Sequence, residues 1–229
     1  MKRVYIYKAF ERFWHWSQAI LIFFLAFTGF EIHGSVYFFG FENAVKYHNA
    51  AALLFLILIA FAIFWHFTTG EWKQYIPTYR NMKAQISYYI SGIFRNEPHP
   101  VKKTVLSKLN PLQKLVYFGL KVLVIPVMVS SGLIYMFYRY PQNNGIEGLN
   151  IDSIKAVALL HTAGAFLLVA FIITHLYLIT TGTKVTSNLK AMLTGYEDLE
   201  DEGNQTAEQC TPGDHSSKVP EKEVFINEF

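Results

Sequence analysis

Residues 151–181 read IDSIKAVALLHTAGAFLLVAFIITHLYLITT, with the only charges, Asp152 and Lys155, at the start. A membrane-crossing helix needs about 20 consecutive apolar residues, and this run exceeds that. It carries two imidazoles, His161 and His175, fourteen residues apart. At 3.6 residues per turn, that spacing returns to within roughly 40° of one face and separates the rings by roughly 21 Å along the axis. Ionisable groups inside a span are costly and usually functional. Two histidines on one face at two depths therefore imply an arrangement for holding two haems, one near each membrane surface. Two unrelated polar residues hydrogen-bonded in a bundle core are the alternative.

The whole chain agrees with a membrane setting. Of its 229 residues, 52% are hydrophobic and only 16% are charged, against about 25% charged in soluble domains. The lone cysteine, Cys210, excludes an intramolecular disulfide, a cysteine-ligated iron–sulfur cluster and a C-x-x-C-H haem attachment site. Any haem must then be held by side chains such as histidine. The net charge of +3 is modest, and the basic residues flank apolar runs, which argues topology and not nucleic-acid binding.

Outward from the opening stretch, three more spans are expected, giving 13–30, 44–68, 112–138 and 153–181. The first follows a basic start (Lys2, Arg3, Lys8, Arg12) and holds His15 inside RFWHW, with Trp14 and Trp16 as interface anchors. It is too long for a signal-peptide core and no A-x-A-like cleavage site follows. A loop over 31–43 leads to the second span, with His48 near its start and His66 near its end. The connection 69–110 is basic, and Met82, Ile86, Tyr89, Ile90 and Ile93 recur at helical spacing, as in an amphipathic surface helix or one packed on the protein itself. The third span tolerates Pro126 as a kink and contains Lys121 within snorkelling reach of the interface. After Gly182, residues 183–196 space Val185, Leu189, Met192 and Tyr196 like a short surface helix. The expected class is all-α, a four-helix membrane bundle over residues 1–198, with an acidic, disordered tail over 199–229. Basic residues gather at the amino terminus and in 69–110, so the positive-inside rule places both termini on the cytoplasmic side of a bacterial inner membrane.

With that topology the histidines fall into two tiers. His48 and His161 lie in the outer tier. The inner tier offers His15, His66 and His175 for two positions. The His48–His66 axial separation exceeds the His161–His175 separation by about 6 Å, so two level haems between helices two and four would need compensating tilt. His15 with His175 avoids this. His66 is left as a propionate-side or quinone-side residue or a snorkelling interfacial side chain, and a third haem is not excluded.

RFWHW, the early histidine of helix two, NPLQK (110–114), His-x13-His in helix four and TGTKVTSNLKAMLTGYED (181–198) carry a resemblance. The chain resembles the b-type cytochrome membrane subunits of the formate dehydrogenase gamma, nickel–iron hydrogenase and thiosulfate reductase superfamily over about residues 5–198. The resemblance implies haem ligation by His15 with His175 and by His48 with His161. It also suggests a quinone site near the inner haem, with Asn110 and Gln113 as hydrogen-bonding candidates. Asn110 also suits the cap ahead of Pro111. Lys114 and Lys121 are candidate partners of haem propionates.

The expected function is electron transfer by two haem b groups between a membrane quinone, menaquinone or ubiquinone, and an outer-facing iron–sulfur or multihaem cytochrome c subunit. The lipid bilayer completes the set of partners. A transporter or metal permease using the histidines as proton relay or metal ligands is the rival from another class. A ferric-reductase or ascorbate-linked role is the rival that keeps the haems.

Overall fold

The structure, a computed structural model, describes residues 2–95, 97, 100–101, 108–139, 151–182 and 184–199. Among the described residues, four helices are long and apolar enough to cross a membrane: Ala9–Ile32, Phe41–Thr69, Pro111–Phe137 and Ile154–Ile179. Phe23, Leu54, Phe61, Leu123, Phe166 and Ile173 are exposed along them. In lipid such side chains lose nothing by facing outward, because acyl chains are as apolar as they are.

Helix α1 (Ala9–Ile32) packs along α2 (Phe41–Thr69). Ala44, Ala51 and Ala62 are buried on α2, and small residues let backbones approach closely. The expected loop over 31–43 is shorter than predicted, because α1 runs on through Glu31 and α2 begins at Phe41. The reason is local. The carboxylate oxygen Oε1 of Glu31 accepts the backbone N–H groups of Phe38, Phe39 and Gly40 at 2.8, 2.6 and 2.8 Å, tying the connection back onto α1.

Past α2, a 3₁₀ turn (Glu71–Tyr75) folds back beneath the helices, followed by the short helix α3 (Met82–Ile90). Ile86 and Ile90 of α3 are exposed, whereas Gln85 is buried and Tyr89 meets the start of the third span. That span opens as α4 (Pro111–Gly119) with a reciprocal cap. Asn110 Oδ1 accepts from Gln113 N–H at 2.8 Å, and Gln113 Oε1 accepts from Asn110 N–H at 3.0 Å. A π turn over Leu120–Val124 joins α4 to α5 (Ile125–Arg139). Pro126 has no N–H and its ring crowds the carbonyl four residues back. The widened turn just upstream, in which Ile125 N–H reaches Leu120 O, absorbs that mismatch.

Helix α5 packs along α6 (Ile151–Ile179), making a second helical pair beside the first. A final helix, α7 (Ser187–Thr194), lies at the end of the bundle where the chain begins. Arg12 Nη1 donates to Leu193 O at 2.6 Å and Trp16 Nε1 to Met192 O at 3.3 Å, so α1 caps the carbonyl end of α7.

The fold is mostly helical, as expected, with one two-stranded sheet added among the described residues. Strands β1 (Lys2–Tyr5) and β2 (Tyr196–Leu199) pair antiparallel, Lys2 against Leu199 and Tyr5 against Tyr196. Gly195 permits the join. It has a φ of +87° and its carbonyl accepts from Ile6 and Tyr7, while a Cβ there would meet a Tyr5 ring carbon at 2.5 Å. Leu199, the first residue of the expected disordered tail, is therefore strand. The rest of that tail and nearly all of the 139–150 loop lie outside the described residues. The end of the bundle at which β1, β2 and the 3₁₀ turn Glu71–Tyr75 lie is the basic end.

Candidate functional site

Four histidines meet in two pairs, and α6 supplies one member of each. His161 faces His48 of α2, with ring centroids 6.4 Å apart and planes at 74°. About four helical turns nearer the basic end, His175 faces His15 of α1 at 6.2 Å and 50°. Both pairs therefore bridge from the α1–α2 side of the bundle to the α5–α6 side. His175 is further held by Phe171, stacked on it at 5.7 Å, and Tyr117 packs edge-on against Phe171 at 6.0 Å.

The upper pair shows a matched support on each ring. Thr28 Oγ1 lies 2.9 Å from His48 Nδ1, and Ser131 Oγ lies 3.0 Å from His161 Nδ1. Each hydroxyl spends its own hydrogen on a carbonyl one turn back, Phe24 O at 2.9 Å and Val127 O at 2.6 Å. The hydroxyls must then accept from Nδ1–H, which leaves each Nε2 unprotonated with its lone pair available. A glycine follows each hydroxyl. A Cβ at Gly29 would sit 3.7 Å from the His48 ring, and one at Gly132 only 3.0 Å from that of His161. The lower pair lacks this device among the described residues: His15 Nδ1 is buried without a partner.

His66 stands apart from both pairs. It is buried, its Nδ1 donates to Ala62 O at 2.6 Å, and its Nε2 lies 3.4 Å from the Tyr75 hydroxyl. Trp14 packs edge-on against it at 5.2 Å. Lys121 completes this group, its Nζ 3.1 Å from the Tyr75 ring centroid and 5.1 Å from that of Trp14. Asn110 is buried and uses Nδ2 on the Tyr89 hydroxyl at 3.1 Å, in addition to its cap.

Below lies an ionic cluster. Lys108, 7% exposed, donates to Glu11 at 2.6 and 2.9 Å and lies 3.9 Å from Glu71. Lys8 pairs with Glu71 at 2.6 Å, and Gln74 also donates to that carboxylate. Burial pushes the Glu71 carboxyl up, but the Lys8 hydrogen bond and the Lys108 and Lys8 charges outweigh it and hold it below the usual range. The Lys8 ammonium is raised, chiefly by its bond to Glu71. Burial, with Glu197 and Glu11 nearby, raises the Tyr7 phenol. Burial and Glu11 do the same at Tyr75.

The family model for prokaryotic cytochrome b561 matches residues 6–195. The chain belongs to this family. A relative in Escherichia coli (strain K12), named "Putative cytochrome YdhU", is 30% identical over 204 residues, covering 85% of this chain and 75% of that protein. As a prokaryotic cytochrome b561, the chain is a multi-pass membrane protein of electron transport, and the family implies b-type haem.

The residues present fit that group. Metal–imidazole bonds of about 2 Å on each side of one iron put opposed ring centroids about 6 Å apart, which matches both histidine pairs of this cytochrome. Rings locked through Nδ1, with Nε2 free and a hydrogen atom in place of a neighbouring side chain, suit a flat macrocycle. Among the described residues no cluster of three or more His, Cys, Asp or Glu suits a bare metal ion. Sequence reasoning singled out all four paired histidines but missed Thr28 and Ser131. Their signal was present: a hydroxyl residue followed by glycine, inside an apolar span, occurs at both places.

Proposed function

We propose that this cytochrome is a dihaem subunit that carries electrons between the membrane quinone pool and a partner redox protein. The observation that carries this is the pair of histidine pairs, both spaced for axial ligation and set roughly 21 Å apart along α6. A bound haem b supplies a one-electron ferric/ferrous couple held by the protein's imidazoles. His48 and His161 are the ligands of one tier, and His15 and His175 of the other. Thr28 and Ser131 fix the tautomer of the first pair. Phe171 holds the His175 ring by stacking.

The concentration of Lys and Arg at the basic end supports a cytoplasmic location for both termini in a bacterial inner membrane. The His48–His161 tier then faces outward, toward an iron–sulfur or multihaem cytochrome c partner. The His15–His175 tier faces the side where menaquinone or ubiquinone exchanges protons. Gln113, Asn110 and His66 are the quinone-side candidates. Asn110 is committed to its cap and to Tyr89, whereas the Gln113 amide hydrogens meet no acceptor among the described residues, so Gln113 is the first of these to offer a donor to a quinone carbonyl.

The test is a haem count on the purified protein with reduced-minus-oxidised spectra. Two b haems are expected, with one lost in His48→Ala or His161→Ala, the other lost in His15→Ala or His175→Ala, and both kept in His66→Ala. A preparation without a b-type signal, or one that keeps two haems when His48 and His161 are both replaced, sinks the proposal. Loss of quinol-driven reduction in Gln113→Ala, with both haems present, tests the quinone role.

A further inference from the structure

Two lysines toward the basic end, Lys108 buried and Lys121 half-buried, are treated differently by the fold. Lys108 meets Glu11 at 2.6 Å and has Glu71 at 3.9 Å. Lys121, one residue into the π turn of the third span, faces the rings of Tyr75 and Trp14, and none of the described carboxylates pairs with it. The nearby acids are already engaged, Glu11 by Lys108, and Glu71 by Lys8, Lys108 and Gln74. Aromatic faces hold an ammonium more weakly than a hydrogen-bonded carboxylate does. An ionisable group inside a span is costly and as a rule faces the bundle interior, where it pairs or serves a functional site. π turns also recur where helices re-aim side chains at functional sites.

The position says which anion. Trp14, against which Lys121 lies, adjoins His15 in the chain. Tyr117, one helical turn before Lys121, abuts Phe171, which stacks on His175. Lys121 thus lies between the chain neighbour of one lower ligand, His15, and the side chains that hold the other, His175. The anionic groups that a haem brings to such a place are its two propionate carboxylates.

We propose that Lys121 binds a propionate carboxylate of the haem held by His15 and His175, with Tyr75 and Trp14 as its aromatic cradle. This rests on the dihaem reading above. The ammonium then also sets the potential of that haem, since a nearby positive charge favours the reduced, less positive state.

The experiment is a spectroelectrochemical titration of the purified full-length protein and of Lys121→Met, Lys121→Arg and Tyr75→Phe, each with its haem count. In Lys121→Met, one of the two midpoint potentials is expected to shift downward, and the haem concerned is the one abolished by His15→Ala. Lys121→Arg, which keeps the charge, and Tyr75→Phe, which keeps the ring, stay within error of the parent. Two haems with unchanged potentials in Lys121→Met overturn the inference while leaving the dihaem reading intact. A shift confined to the His48–His161 haem also overturns it. So does loss of a retained phospholipid without any change of potential, which would make the partner a lipid phosphate. If Lys121→Met does not accumulate, a Lys121→Arg titration matching the parent beside a shifted Lys121→Gln supports the same conclusion. Wild-type protein holding only one haem removes the inference together with the reading beneath it.

Discussion

Replacing Thr28 by Val keeps the side-chain shape and removes a single hydroxyl at a position with no solvent exposure. That hydroxyl accepts from His48 Nδ1 at 2.9 Å and donates to Phe24 O at 2.9 Å. Without it, His48 has two options. Keeping its proton on Nδ1 leaves a buried donor unmet, at about 1–3 kcal/mol. Moving the proton to Nε2 satisfies nothing and blocks the ligating nitrogen. Loss of a comparable partner behind a metal-bound histidine lowers affinity by about 10–100-fold, or about 1.4–2.8 kcal/mol. The two magnitudes agree, although they come from different measurements. The assay is haem retention, read as the rate at which apomyoglobin strips haem from detergent-solubilised protein, with the two haems separated by their reduced spectra. In Thr28→Val, the haem that vanishes in His48→Ala should leave about tenfold faster or more, and the other should leave at the parental rate. Thr28→Ser, which restores the hydroxyl, should recover most of the loss. Equal retention in Val and parent, or acceleration of the wrong haem, refutes the claim that Thr28 fixes this imidazole.

Gly132→Val should abolish the same haem, because a Cβ at 3.0 Å from the His161 ring already forces movement, whereas Gly29→Ala, at an ordinary 3.7 Å, should leave the haem count at two. Glu11→Gln leaves Lys108 buried with only Glu71 at 3.9 Å. A drop of about 3 kcal/mol in stability, the low end for a broken buried pair, should appear as a lower thermal midpoint, and an unchanged midpoint would count against the cluster as a stabilising feature. The pH profile has two limbs. Glu71 is held below its ordinary value, so its contribution is present above about pH 4 and lost as pH falls through the lower folded value. Lys8, Tyr7 and Tyr75 are raised, so their contributions persist below about pH 10 and fade as pH climbs through the higher folded values. Thermal midpoints measured across this range should show a plateau, and Glu71→Gln should flatten the acid limb and weaken the alkaline one, because Lys8 owes its raised value chiefly to Glu71.

The spans and the shared face of His161 and His175 were legible in the amino-acid sequence because both signals are local, whereas the choice of His15 over His66 for the inner pair also drew on the family resemblance. An apolar run of sufficient length declares a membrane helix by itself, and the fourteen-residue interval between His161 and His175 sets their common face through helix geometry alone. The cap at Asn110, with Pro111 and Gln113, is equally local. The folded chain alone decided what depends on segments far apart. Strands β1 and β2 are four residues each and join opposite ends of the described chain, so neither has a pattern that names its partner. Glu31 looked like a loop acid until three backbone N–H groups converged on it. Thr28 and Ser131 became supports only when other helices brought His48 and His161 to them. Lys121, a propionate candidate from the sequence alone, was singled out from Lys114 when a turn from beyond α2 laid Tyr75 against it. Period and length are properties of one helix, whereas the partner of a buried polar group is chosen by whichever distant segment packs beside it.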